Sequence, residues 1–349
     1  NYQNIEINFF AKTNLLAKAT LTGTLIQFFI QIFEINKVGL LKLKVSWLKT
    51  SREEKRIFKL ILPASLASGL SQINVFIDMF FISSFTGAAS GLAYGNLLVQ
   101  APLGILSNTI ILPLLPKISK LIDKNQIKEL QKILIKGIEY TFLSTVLLGG
   151  LFISFSDLIV ELVYQRGAFD YEAFSTVKKI LIAYAVGIPF YLYKDLLIRF
   201  FYSLEKTKLP FQLSLIGIFL NIAFDWILTG GPTTQFGNLF NFNFGVVGVV
   251  LSSGLVNLII FSILSIKLNL NNYKIPNISL LKKIIFMVSS SIISSFTSRF
   301  LINNIYNANE NYFSKIIILV LGFLSFISIY YLITKILKVN KLNLRLMFK

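Results

Sequence analysis

Nine long apolar stretches run along this chain, and the basic residues gather in alternate gaps between them. The stretches are residues 15–33, 58–83, 92–115, 133–160, 174–203, 211–228, 244–266, 280–301 and 316–336. A hydrocarbon core about 30 Å thick is crossed by roughly 20 apolar helical residues. Nothing but a helix or a closed barrel satisfies its backbone in lipid, and stretches this long predict helices. Lys and Arg number seven in residues 37–56, none in 84–91 and five in 116–132. Only Arg166 stands in 161–173, two basic residues stand in 204–210 and none in 229–243. Two follow in 267–279, one in 302–315 and five in the tail 335–349. Basic loops stay on the cytoplasmic side. The alternation therefore predicts a chain that starts outside, crosses an odd number of times and ends in the cytoplasm. The expected fold class is all-α: one polytopic transmembrane helix bundle.

Composition narrows the chemistry. The chain is 54% hydrophobic with a mean hydropathy of +0.70, too apolar for a water-soluble domain of 349 residues. Its formal charge of +18 lies in the loops expected to face anionic headgroups, so nucleic acid is not an expected partner and bilayer lipid is. There are no Cys and no His, which removes disulfides, thiol nucleophiles, imidazole bases and the usual zinc ligands. No phosphate-binding loop, HExxH or GxSxG occurs. The nearest acidic grouping is Asp157 with Glu161, one helical turn apart at a span end, and it reads as an interfacial helix end rather than a catalytic pair.

Two segments stand apart. Residues 37–56 form a basic, partly amphipathic connector expected to lie along the cytoplasmic membrane surface. The first span carries Thr20, Thr24, Gln27 and Gln31 at helical spacing, a stripe that calls for a protein neighbour or a wet cavity. With an opening Asn1-Tyr2-Gln3 in place of an initial Met, that stripe suggests further helices before this one.

Polar residues inside the spans are the candidates for function. Gln72, Asn74 and Asp78 are embedded in QINVFIDMFF, with Asn74 and Asp78 four apart on one face. A carboxylate at that depth faces a cavity or a partner. Asn96 and Gln100 are likewise four apart, ahead of Pro102, and read equally as interhelical hydrogen-bonding amides. Gly87, Gly91 and Gly95 recur every fourth residue and would admit a close helix. The fifth span holds Lys194, Asp195 and Arg199, of which Asp195 and Arg199 form a favourable i,i+4 pair. Lys194 is left to pair with Asp225 or Asp78, or to meet an anionic substrate in a cavity. Pro189 in the same span favours a kink.

Several runs together resemble the MurJ/MviN family of lipid II flippases, within the multidrug/oligosaccharidyl-lipid/polysaccharide exporter superfamily. They are SQINVFIDMFFISSF, AYGNLLVQAPLGILSNTIILPLLPKIS, VYQRGAFD and FYSLEKTKLPFQLSLIGIFLNIAFDWIL, and the resemblance covers roughly residues 20–266. It implies about nine spans of a fourteen-helix exporter fold: the end of an N-lobe, the C-lobe and a C-terminal helix pair. It implies flipping of lipid II, the undecaprenyl-pyrophosphate-linked muropeptide, by alternating access in the bacterial inner membrane, without covalent chemistry or a cofactor. A coupling ion is an open partner, with Asp78 as its candidate ligand. The resemblance makes Gln72, Asn74, Asp78, Asn96, Gln100, Lys194 and Arg199 the substrate-cavity candidates, and Gln165, Arg166, Gly167 and Phe169 the family-motif loop. Many members carry an Asp-Arg pair and a further acid in the helix after the QIN motif. Here the positions are Asn96, Leu97 and Gln100. Alternatives are a flippase for another lipid-linked oligosaccharide, a cation-coupled exporter, or, more distantly, a membrane glycan polymerase or ligase. The last is disfavoured by the uncharged loop 229–243.

Overall fold

The structure is a computed structural model that describes residues 2–39, 52–124, 126–167, 169–231, 242–270, 273, 277–304 and 311–337. The described chain is helical in every element: α1 (Tyr2–Lys37), α2 (Arg52–Ile82), α3 (Ala88–Leu106), a π-helical turn (Ser107–Ile111), α4 (Leu112–Asp123), α5 (Ile127–Tyr164), α6 (Tyr171–Ser203), α7 (Lys208–Thr229), α8 (Val246–Leu270), α9 (Asn277–Asn303) and α10 (Tyr312–Ile336). With α3, the π turn and α4 forming one rod, the nine expected spans fall on nine helical rods. Among the described residues, the seven rods from Ala88 onward are long and apolar enough to cross a membrane. In α2 the apolar stretch Gln72–Ile82 is shorter. This is a multi-pass membrane protein. Of the connector 37–56, residues 40–51 lie outside the described residues, as does most of the loop 229–243.

The chain divides into two units, Asn1–Lys55 and Arg56–Lys349. In the first, Thr20, Thr24, Gln27 and Gln31 are exposed on α1. Thr24 Oγ1 donates to the Thr20 carbonyl at 2.5 Å, so this hydroxyl is satisfied on its own helix.

The second unit is built around α5 and α6. Helix α5 is the most deeply buried rod, packed by α6, α9 and α10, while α6 is packed by α3 and α8 and α7 lies on α8. Apolar side chains fill these contacts: Leu134, Ile138 and Phe142 of α5 join Leu196, Phe200 and Phe201 of α6, and Phe155 meets Phe326 and Tyr330 of α10. Of the three regularly spaced glycines, Gly91 and Gly95 face α6, where a Cβ on Gly95 would collide with Ile180 Cγ2. Gly87 serves differently, as the left-handed residue (φ 72°) before α3.

Two helix irregularities differ from the sequence expectation. The π turn ends two residues before Pro113, with the Leu112 N–H bonded to the Ser107 carbonyl five residues back. A proline ring crowds the carbonyl four residues before it, and a widened turn relieves that contact. Helix α6, by contrast, runs unbroken through Pro189. The break occurs in α5, which contains no proline, at Phe155 (φ −122°, ψ 19°).

Candidate functional site

A cavity of about 470 Å³ opens in the second unit between α2, α3, α6, α7 and α8. Asn74 and Asp78 of α2, Asn96 and Gln100 of α3 and Lys194 of α6 all line it, as the sequence reading expects. The shared face of each i,i+4 pair brings both members to the same wall. Gln100 Nε2 donates to Asn96 Oδ1 at 3.3 Å, so these two amides partly satisfy one another. Gln72 is exposed and is not part of the wall. Arg199 is also outside the wall, bound to Asp195 at 3.0 Å as its spacing predicts.

Asp78 on the cavity wall is joined through Asn221 to Asp225 and Ser252, which lie outside the lining, a link the sequence reading does not make. Asn221 Nδ2 donates to Asp78 Oδ1 at 2.7 Å and to Asp225 Oδ2 at 2.9 Å. Ser252 Oγ of α8 donates to Asn221 Oδ1 at 3.2 Å. Asn221, Asp225 and Ser252 are fully buried. Two carboxylates thus share one amide nitrogen, and among the described residues neither forms an ion pair. Asp225 Oδ1 and Asn74 Oδ1 are buried without a hydrogen-bond partner. Like charges this close in a poorly screened interior call for a compensating positive charge, either a proton or a cation. A signal for the pairing is present in the sequence. Asn74-Val-Phe-Ile-Asp78 and Asn221-Ile-Ala-Phe-Asp225 are the same Asn-x-x-x-Asp pattern on two helices.

Lys194 pairs with neither carboxylate. Its Nζ donates to Asn257 Oδ1 of α8 at 2.6 Å and lies 5.3 Å from the centre of the Tyr191 ring. The approach is set by a glycine crossing: a Cβ on Gly187 of α6 would lie 3.3 Å from the Cα of Gly254 of α8. With the backbones this close, a lysine two turns beyond Gly187 reaches an asparagine three residues beyond Gly254. The ammonium is thus held by a neutral amide and an aromatic face, with no carboxylate in direct contact among the described residues.

The Gln165–Phe169 motif lies at the end of α5, away from the cavity. Arg166 Nη2 donates to the Leu162 carbonyl and to the Tyr312 hydroxyl, each at 3.0 Å, and the guanidinium lies 5.4 Å from the Tyr312 ring centre. Gly167 takes the left-handed turn (φ 60°), and Asp170 caps α6 by accepting from the Ala173 N–H at 2.8 Å. The Phe169 ring packs on Tyr164 and Tyr94. This arrangement gives the motif a role in ending one helix and starting the next. Asp157 and Glu161 are each held in ion pairs, Asp157 with Arg299 and Lys178 and Glu161 with Lys315.

The sequence profile described as lipid II flippase MurJ matches residues 4–302. The chain belongs to the MurJ family. A probable lipid II flippase MurJ of Synechocystis sp. is 36% identical over 255 residues, covering 73% of this chain and 46% of that protein. A second family member, from Rhizobium tropici, is 30% identical over 174 residues, covering 50% of this chain and 33% of its own length. The chain therefore spans half or less of the length of these relatives. In fold it matches a solved structure of lipid II flippase MurJ in an inward closed conformation, with a TM-score of 0.64 at 24% identity over 88% of this chain and 60% of that one. A MOP superfamily transporter from Pyrococcus furiosus aligns with a TM-score of 0.53 at 14% identity, over 82% of this chain and 68% of that one. The expected helix-bundle exporter fold is thus the observed one.

Proposed function

We propose that this chain takes part in flipping lipid II across the bacterial inner membrane by alternating access, as a transporter and not an enzyme. Family membership supports the substrate class. The observation that carries the reading to particular residues is the cavity wall, with Lys194 as its ammonium among the described residues and Asp78 as its carboxylate, bonded through Asn221 to the buried Asp225. In this reading the disaccharide-peptide headgroup enters the cavity while its lipid tail stays in the bilayer. Lys194 meets the pyrophosphate, and Asn96 and Gln100 offer neutral donors and acceptors where relatives have a charged trio. The Asp78–Asn221–Asp225 cluster takes a proton or a monovalent cation, and exchange of that charge biases the two conformations. The polypeptide supplies the end of an N-lobe, the C-lobe and a C-terminal helix pair, with residues 37–56 along the cytoplasmic surface.

Lys194→Ala tests the assignment of the cation. A hydrogen bond to a charged group contributes roughly 1.5–3 kcal/mol, which corresponds to about a ten- to hundredfold change. In cells whose only copy carries the change, export of the precursor is expected to fall by about that factor while membrane insertion stays normal. Export at the native rate from a normally inserted protein would show that Lys194 is only a partner for Asn257.

The orientation follows from the basic loops, with the C-terminus in the cytoplasm. Single cysteines placed in this cysteine-free chain make that testable. In intact spheroplasts an impermeant thiol reagent is expected to label position 172, in the first turn of α6, and not position 124, at the end of α4. The reverse pattern would invert the assignment.

A further inference from the structure

The break in α5 has an identifiable plug. In an uninterrupted helix the Leu158 N–H would bond to the Ser154 carbonyl. Here the Leu158 N–H turns to Asp157 Oδ1 at 3.3 Å, and the Ser154 carbonyl accepts from Arg299 Nη1 of α9 at 2.6 Å. The same guanidinium grips both oxygens of Asp157, with Nη1 to Oδ1 at 2.6 Å and Nη2 to Oδ2. Lys178 of α6 stands 3.5 Å from Oδ2. A planar fork meets both oxygens of a carboxylate in parallel and still has an N–H for the carbonyl, a geometry that a lysine ammonium does not present. Sharp departures in helices trace to proline, to Gly/Ser pairs, to π turns or to a group inserted in the ladder. Helix α5 contains no proline, and the group inserted at its break is the Arg299 guanidinium on the Ser154 carbonyl.

We propose that Arg299 is a positioning residue that holds a reversible joint in α5 and, through it, sets the stretch of α3 that walls the cavity. Because no proline enforces the break, withdrawing the guanidinium leaves the Leu158 N–H and the Ser154 carbonyl free to rejoin. The same backbone then has two discrete hydrogen-bonding arrangements, which is what a coupling element requires. Residues 156–164 move as one piece beyond the joint. That piece ends in Tyr164, whose hydroxyl donates to the Tyr94 carbonyl of α3 at 3.0 Å and whose ring lies 4.9 Å from that of Tyr94. Phe169 closes the ring cluster. Tyr94 is followed two residues later by Asn96 of the cavity wall. Displacement at the joint therefore reaches the wall through direct contacts, whatever the cavity carries.

The experiment is distance measurement between spin labels on the cysteine-free chain in nanodiscs. One label is placed at Val163 and its partner at Leu255 of α8, both exposed. A second pair joins Ser90, exposed at the start of α3, to Leu255. The unmodified chain is expected to give one distance for each pair. Straightening a kink of about 20° would swing the roughly 12 Å segment beyond the joint by about 4 Å. Arg299→Ala and Asp157→Asn should each add a second population displaced by about that much in both pairs. Arg299→Lys, which keeps the charge but not the bidentate fork, should restore the original distance in part. Unchanged single distances in Arg299→Ala and Asp157→Asn would overturn the proposal and assign the break to packing of Phe155 against Gly322. A shift at Val163 with none at Ser90 would overturn the link to the wall. If Arg299→Ala fails to insert, Asp157→Asn, which preserves side-chain size, decides alone.

Discussion

Asn221→Leu is expected to destabilise the bundle by roughly 3–5 kcal/mol, as breaking a buried charged network does. The two side chains are close in volume, so the cost is not a cavity. It comes from what loses its partner. Asp78 Oδ1 and Asp225 Oδ2 both lose the amide they share, and Ser252 Oγ loses its side-chain acceptor. Asp225 and Ser252 are fully buried, so water cannot replace those bonds without opening the packing of α7 on α8. The measurement is the temperature at which the detergent-solubilised chain loses its monodisperse elution. Adding Asp225→Leu to Asn221→Leu should recover part of the loss, because an apolar pair of similar volume removes the stranded charge as well as its donor. Stability within about 0.5 kcal/mol of the native chain for Asn221→Leu alone would show that the carboxylates do not depend on this amide.

The spans are legible because lipid is an undemanding reader: length and apolarity suffice, and loop charge sets direction. The in-helix pairs are legible for the same geometric reason, since residues four apart must share a face. Asn74 with Asp78, Asn96 with Gln100 and Asp195 with Arg199 all follow it. Partners across helices are not. Lys194 reaches Asn257 across 63 positions, and neither carboxylate considered for it is its partner. Asp78 reaches Asn221 across 143, and Asp157 reaches Arg299 across 142. Sequence spacing carries no information about which helices adjoin, so Asp157 is recognisable as a span-end acid but not as half of a joint. Arg199 shows the converse limit. Once Asp195 is known to neutralise it, its depth in the span ceases to argue for the cavity.

Proline misleads in an instructive way, and Gly149→Ala is the test of why. Pro189 lacks the N–H that would bond to the Ala185 carbonyl, so the sequence predicts a kink in α6. Yet α6 stays helical, and the Ala185 carbonyl faces Gly149 of α5, where a Cβ would sit 2.7 Å from its oxygen. A Cα hydrogen of Gly149 occupies that direction and offers the orphaned carbonyl a weak donor at close range. Gly149→Ala would replace that hydrogen by a methyl group pressed against backbone, which cannot rotate away. The expected loss is about 2–3 kcal/mol, at the upper end for overpacking, despite the roughly 1 kcal/mol by which Ala outranks Gly in helix propensity. Gly95→Ala gives the contrast. Its methyl group would meet the Ile180 side chain, so Ile180→Ala should rescue it. Ala185→Gly should not rescue Gly149→Ala, because the obstructing atom belongs to the backbone. Gly104, where a Cβ would meet nothing within 4 Å, supplies the control, and Gly104→Ala should be neutral or mildly stabilising. If Gly149→Ala is as stable as Gly104→Ala, α5 and α6 have room to separate, and the unbroken course of α6 through Pro189 must be maintained by its contacts with α3 and α8 instead.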